Sequence, residues 1–260
     1  MNFAEPYADL REFIAALDAR GKLYRIDKAI NKDTELQPLV RWQYRGGIGE
    51  EDRRGFLFSN VTDGKRRKYN CSVLVGGLSG SEAIYCLGLK CQPEEVPDRW
   101  IYALDHLIPP VMVDGGPAQE EVHLGAELLA HGGFNEFAVP ISTPGFDNGP
   151  YITAGHWITK DPETGQRNVG NYRGLIKGPA LCGLMTGTPQ DLSNQWEKCR
   201  KRGKALEVAV VVGTIPVVSY AATQKVPPDV DELALAGGLQ GAPVPLVKCK
   251  TVDLEVPATS

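Results

Sequence analysis

GPYITAGHWITKDPETGQRNVGNYR, Gly149 to Arg173, is the stretch whose reading decides the fold. β-Branched and aromatic side chains dominate Tyr151 to Lys160, and such residues suit a pleated, half-buried strand. Asp161-Pro162-Glu163-Thr164-Gly165 then supplies a fixed φ and a glycine, and Asn168 to Ile176 runs extended again. The pattern predicts a hairpin. By shape alone a surface hairpin with a polar tip is the simpler reading, but the second strand carries chemistry. An amide, Asn168, and a guanidinium, Arg173, lie among small residues, Gly170 and Gly174. An amide oxygen can ligate a hard cation, and a guanidinium grips carboxylate or phosphate bidentately. Residues five apart on a regular strand face opposite sides, so a shared site requires a bulge, expected near Gly170.

The 260 residues allow one large or two ordinary domains, and 42% hydrophobic content supports a real core. No window has the apolar length of a membrane span, and Met1 to Leu10 lacks the basic start and apolar centre of a signal peptide. The expectation is a soluble cytoplasmic protein. A formal charge of −4, with one basic run at Lys65-Arg66-Arg67-Lys68 that reads as a solvated turn, argues against a nucleic-acid partner. Cys71, Cys86, Cys91, Cys182, Cys199 and Cys249 form no CxxC pair, so they read as reduced, mostly core residues.

Leu10, Phe13, Ile14 and Leu17 repeat at helical spacing, predicting a helix from Asp9 to Arg20 that stops at Gly21. A strand over Lys22 to Asp27, a helix over Glu35 to Tyr44, strands at Phe56 to Phe58 and Val73 to Val75, and helices at Ser81 to Leu87 and Pro93 to Leu107 follow. This alternation predicts an α/β unit ending near Pro109-Pro110. Beyond Val111, short segments punctuated by glycine and proline predict a β-barrel interrupted by two helices. The first is expected to start with Thr188 as cap and Pro189 at the first helical position and to run to Arg202. The second follows Asp229 to Glu232 and stops at Gly237-Gly238 or Gly241. Val208 to Val212 and Val244 to Val247 are further strands.

Asn168, Asp191 and Glu232 are oxygen donors that together would suit Mg²⁺ or Mn²⁺ rather than zinc. Asp191 lies three residues after Thr188 and Glu232 three after Asp229, so both also fit capping boxes, the simpler reading of that spacing. Capping and ligation are compatible, because a helix N-terminus also attracts phosphate. Gly76-Gly77-Leu78-Ser79-Gly80 lacks both the P-loop ending and GxGxxG spacing and reads as a turn. Neither a GxSxG elbow nor HExxH spacing occurs, and His156 reads as a satisfied barrel histidine.

DLREFIAALDARGKLYRID near the start, GPYITAG at Gly149, DPETGQRNVGNYRG from Asp161 and DELALAGGLQGAPVPLVKCKTVDLEVPATS from Asp231 resemble, in order and wording, the UbiD family of reversible decarboxylases. The family uses a prenylated FMN with a divalent metal and usually potassium. The resemblance covers nearly the whole chain. It implies an α+β architecture: a small N-terminal α/β domain, residues 1–110, followed by a split β-barrel of FMN-binding type with inserted helices, residues 111–260, truncated before the C-terminal domain. It implies that Asn168 and Glu232 ligate Mn²⁺ or Mg²⁺ and hold the flavin phosphate through it, that Arg173 is the active-site arginine, that Thr153 and Gln190 contact the flavin, and that Ala222 to Gln224 lie on the potassium-associated loop. Asp191 stands where the family commonly has a ligating histidine; it can bind the metal through oxygen but adds negative charge beside a phosphate.

The same resemblance implies non-oxidative decarboxylation or carboxylation of an aromatic or α,β-unsaturated acid, with the acid and CO₂ as small-molecule partners and a flavin prenyltransferase as cofactor source. Family members are typically longer, with two acidic residues beyond a VPATSE-like run and a C-terminal domain that usually builds the dimer. The expectation from Ser260 is therefore an incomplete barrel edge and a proton donor supplied elsewhere. The alternative is a non-catalytic or split subunit that completes its site with another chain, or self-association.

Overall fold

Asp161 closes the central hairpin of the computed structural model, which describes residues 1–187 and 189–260. Its carboxylate accepts the Glu163 and Thr164 N–H groups, its own N–H donates to the Gln166 carbonyl at 2.8 Å, and Gly165 takes φ +73°. The chain runs α1 (Leu10–Ala19), β1 (Leu23–Ile26), β2 (Ile30–Asn31), α2 (Leu36–Arg45), β3 (Gly55–Phe58), β4 (Val61–Thr62), β5 (Val73–Val75), α3 (Glu82–Leu89), α4 (Val96–Asp105) and β6 (Val111–Met112). It continues through α5 (Ala126–His131), β7 (Tyr151–Ile152), β8 (Gly155–Lys160), β9 (Arg167–Asn171), β10 (Gly174–Gly178), β11 (Leu181–Leu184), α6 (Asp191–Lys201), β12 (Ala209–Val212), α7 (Pro216–Ala221), α8 (Glu232–Gln240), β13 (Pro245–Lys248) and β14 (Glu255–Pro257).

The hairpin forms, but each of its arms breaks once. β8 pairs with β9 and with β12, whereas β7 pairs with β10, which also pairs with β11. The arms therefore hand over from one three-stranded sheet to another at Thr153-Ala154 and Tyr172-Arg173. The expected bulge near Gly170 does not occur: the β8–β9 register is continuous from His156↔Asn171 to Lys160↔Arg167. Gly170 serves space instead, since a Cβ there would lie 2.5 Å from the Tyr172 ring. Strands β14-β13-β6 and β1-β3-β5 make two more three-stranded sheets and β2-β4 a pair, so among the described residues the sheets do not close into one barrel.

Local signals set most element ends. Asp9 caps α1 through the Glu12 N–H and Ser81 caps α3 through the Ile84 N–H, while Gly21 and Gly241 take positive φ at helix ends. Lys65 to Lys68 is an exposed turn, and Gly76 to Gly80 is a turn as expected. All six cysteines are free, with Cys86 and Cys199 buried.

α8 is buried over its whole length, which the apolar Leu233 to Ala236 run requires. It passes through the glycine pair and stops at Gly241, the second of the two expected ends. A Cβ at Gly237 would lie 2.4 Å from the Ile108 carbonyl oxygen and one at Gly238 2.8 Å from those of Ala103 and His106, so the pair permits the close approach of α8 to the end of α4. The largest core cluster joins Phe13, Leu17 and Ile84 to Ile158, Val169, Leu233 and Leu239.

His156 is only half satisfied. Its Nε2 bonds Ser219 Oγ at 2.9 Å, which in turn meets Thr214 Oγ1 at 2.9 Å, while Nδ1 is buried without a partner. Burial pulls its pKa from 6.5 down to about 4. The unfolded chain thus takes a proton that the native state refuses, so this contribution is full above pH 6.5 and is lost as pH falls toward 4.

Two measurements follow from this packing. Gly238→Ala should lower unfolding free energy in denaturant titrations by about 1–3 kcal/mol through backbone overpacking, while Gly115→Ala, with nothing within 4 Å of the added carbon, should change it little. His156→Gln should flatten the decline of the denaturation midpoint between pH 6.5 and 4; an unchanged slope would exclude His156 as its source.

Candidate functional site

The cleft that gathers the oxygen donors is built where one strand meets the starts of two helices. β9 contributes Asn168, α6 begins with Asp191 and α8 begins with Glu232; all three line a cleft of ≈ 570 Å³. Asn168 and Glu232 are 5% and 6% exposed. The Asn168 Nδ2 donates to Thr159 Oγ1 across the β8–β9 pair at 3.3 Å, so its amide oxygen is the group left for a cation.

Glu232 is not a capping-box residue. The cap of α8 is Asp231, whose Oδ1 accepts the Leu233 N–H at 2.9 Å, so Glu232 is the first helical residue. Its carboxylate is instead committed across the fold, with Oε2 accepting the Val169 N–H at 2.9 Å. α6 likewise starts at Asp191 with Gln190 in the cap position and no side-chain cap bond. Asp191 is therefore the first helical residue, and the expected Thr188 cap lies outside the described residues.

Neighbouring contacts fix these starts. Arg167 bridges Asp231 and Glu255, and Lys160 also reaches Glu255 at 2.9 Å. Leu192 packs with Trp157 and Tyr172, and the Trp157 indole N–H donates to the Tyr172 carbonyl at 2.8 Å. The start of α6 is thereby pinned to the fork of the hairpin.

The donors fit a hard divalent ion. Burial, reinforced by Asp231 and Asp191, raises the Glu232 pKa to about 7, so a cation entering here would replace a proton at low cost. Gln195, one turn into α6, is 5% exposed and lines the cleft, yet its Oε1 is buried without a partner. A buried oxygen of this kind has free-energy reason to accept a ligand or ordered water. Sequence reasoning missed Gln195; its signal was the helical i, i+3, i+4 spacing of Asp191, Asn194 and Gln195.

Other expected residues stand apart. Arg173, Thr153 and Gln190 do not line this cleft. Arg173 is half exposed at the fork, pairs with Asp147 at 3.0 Å and covers the Tyr151 ring at 4.2 Å. The Arg173 hydrogen bond holds the Asp147 carboxyl below the usual carboxylate range. Arg173 follows Asn168 by five residues, at most about 16 Å of extended chain, and the arm breaks between them.

Fold and site together define a mixed α/β protein with an open cleft between two helix starts and a strand, in which Asn168 and Glu232 are buried and Asp191 is exposed. Residues 112–260 match the family described as "UbiD: 3-octaprenyl-4-hydroxybenzoate carboxy-lyase Rift-related domain", and the chain belongs to the UbiD family. A phenolic acid decarboxylase of Sedimentibacter hydroxybenzoicus is 28% identical over 99% of this chain and 53% of its own length. The UbiD-class enzyme HmfF of Pelotomaculum thermopropionicum, solved as an evolved dimeric form with prFMN, superposes with a TM-score of 0.81 at 31% identity, over 97% of this chain and 55% of its own. Vanillic acid decarboxylase of S. hydroxybenzoicus in closed form gives 0.84 at 26%, over 99% and 54%. The chain spans about half the length of the curated relatives it matches. No helix among the described residues is long and apolar enough to cross a membrane.

Asp231→Ala, which removes the α8 cap and a partner of the half-buried Arg167, should cost about 1–3 kcal/mol in denaturant unfolding. A loss below 0.5 kcal/mol would mean that this clamp does not set the start of α8.

Proposed function

We propose that this chain is the N-terminal and flavin-binding portion of a UbiD-type carboxy-lyase that adds or removes CO₂, without oxidation, on an aromatic or α,β-unsaturated acid. In this reading residues 1–110 are the α/β unit, and the sheets of residues 111–260 belong to a split β-barrel. One observation carries the proposal: buried Asn168 and Glu232, far apart in sequence, line one cleft with Asp191, joined by the Val169–Glu232 hydrogen bond.

Asn168, Asp191 and Glu232 would hold Mn²⁺ or Mg²⁺, which suits their oxygen donors, with Gln195 beside them. Prenylated FMN, when bound, supplies the electron sink on which a carboxylate can leave as CO₂. The N-termini of α6 and α8 favour an anionic group in the cleft. Arg173 would exchange Asp147 for the substrate carboxylate, a trade between two charge-assisted hydrogen bonds, while Thr153 borders the same fork and Gln190 precedes Asp191. Potassium belongs near Ala222 to Gln224 in this reading. The proton returned to the product requires a general acid within hydrogen-bond reach, and that role is assigned to no residue of this chain. A second reading, in which another chain or copy completes the site, takes support from the dimeric form in which HmfF was solved.

The purified chain mixed with prenylated FMN and Mn²⁺ should retain flavin absorbance through gel filtration. Glu232→Ala should weaken that retention at least about tenfold, by removal of a charged ligand; equal retention by the variant would overturn the ligand assignment. CO₂ exchange into a panel of aromatic acids by this chain alone would exclude the second reading, and exchange only after adding a partner carrying carboxylates would favour it.

A further inference from the structure

We propose a second metal site, separate from the cleft, at Glu121, His123 and His131, with a Zn²⁺-class transition-metal ion as its ligand. One donor atom from each of these three side chains lies within 4.8 Å of the others. A tetrahedral ion bound at about 2.0–2.2 Å would draw such donors to roughly 3.5 Å apart. The contraction is undemanding, because the Glu121 side chain is 75% exposed and that of His131 42%.

His123 Nε2 lies 3.0 Å from Glu121 Oε1, while its Nδ1 faces Glu127 at 3.8 Å. His131 Nδ1 lies 3.9 Å from Glu136 Oε1. Each imidazole thus has a carboxylate beside its Nδ1, the kind of outer partner that orients metal-bound histidines. The two rings lie 3.7 Å apart between centroids with their planes tilted by 32°, and His123 Nδ1 is buried with no hydrogen-bond partner. Among the described residues, the ion pairs of Glu121, Glu127 and Glu136 are with imidazoles alone. Two imidazoles and a carboxylate form a borderline-soft donor set that favours Zn²⁺ over Mg²⁺, with a fourth position open to water.

The backbone holds His131 in place. Gly132 ends α5 at φ +102° and Gly133 follows at +53°, where a Cβ would strike the Pro179 carbonyl. The Phe134 N–H donates to that carbonyl at 2.8 Å. A bound ion would therefore clasp the 121–125 loop to the end of α5 and, through this anchor, to the turn between β10 and β11.

Zn²⁺ titrated calorimetrically into chelator-treated protein, with excess Mg²⁺ present to compete at hard-oxygen sites, should show one ion per chain. His123→Ala and His131→Ala should each weaken binding at least about 100-fold and Glu127→Gln about tenfold, while Glu232→Gln should leave it unchanged. Circular dichroism of each variant checks that it is folded. The Co²⁺-substituted protein should show weak visible bands without a thiolate charge-transfer band, which separates this site from the free cysteines. Retention of Zn²⁺ affinity by folded His123→Ala and His131→Ala, a thiolate spectrum, or absence of stoichiometric binding would each overturn the proposal.

Discussion

The hydrogen bond from the Val169 N–H to the Glu232 carboxylate fixes the rest of the site. Val169 is central in β9 and Glu232 opens a helix buried along its entire length. Withdrawing a carboxyl from water is costly unless it finds donors, and α8 has no exposed face to which Glu232 could turn. The bond therefore ties the register of the hairpin to the placement of the helix. Arg167 and Asp231, each one position before a residue that lines the cleft, form a second tie alongside it. Moving β9 along its neighbours by one residue would turn Asn168 away and break both ties at once.

The break in the hairpin gives this part of the chain two chemically different ends. Strands β8 and β9 end at a cleft of carboxylate and amide oxygens, whereas the start of β10 carries a half-exposed guanidinium over an aromatic ring. Had the arms continued unbroken, Arg173 would belong to the same sheet as Asn168 and would face away from it. The handover at Tyr172 lets the Tyr172 ring fold back over Gly170 and seal against Trp157 and Leu192. Oxygen site and guanidinium are thereby held at a fixed separation by packing.

Much of this was legible in sequence because it is local. Asp161 through Gly165 specifies its turn, Ser81 and Asp9 specify helix starts, and the apolar run after Glu232 specifies a buried helix. The capping boxes were misread because a Ser/Thr/Asp three residues before an acid is also how a first-turn acid looks when the cap lies elsewhere. Asp231, one residue before Glu232, competes with Asp229 for the same role, and it both accepts the Leu233 N–H and pairs with Arg167. That pair joins residues 64 apart in sequence. α5, α7 and β11 were missed because each is short, and α7 is buried by its surroundings rather than marked by an amphipathic period. His123 and His131 carry no recognisable metal spacing; only the turn of α5 brings them together.

Charge decides how an anionic group would enter the cleft. Arg167 is shared between Asp231 and Glu255, Lys198 between Asp161 and Glu163, and Lys201 reaches Glu197 at 3.9 Å, so these three cations lining the cleft are already engaged. Asp191 and Glu232 together present up to two negative charges, while the starts of α6 and α8 supply about half a positive charge each. A phosphate binding directly would thus meet net repulsion in a partly desolvated site. In the proposed function a divalent ion held by Asn168, Asp191 and Glu232 would reverse that sum, and the helix starts would then favour the phosphate instead of merely offsetting the carboxylates. In the proposed function the aspartate at 191 consequently makes phosphate binding more dependent on the metal: a neutral donor there would leave one carboxylate fewer to neutralise.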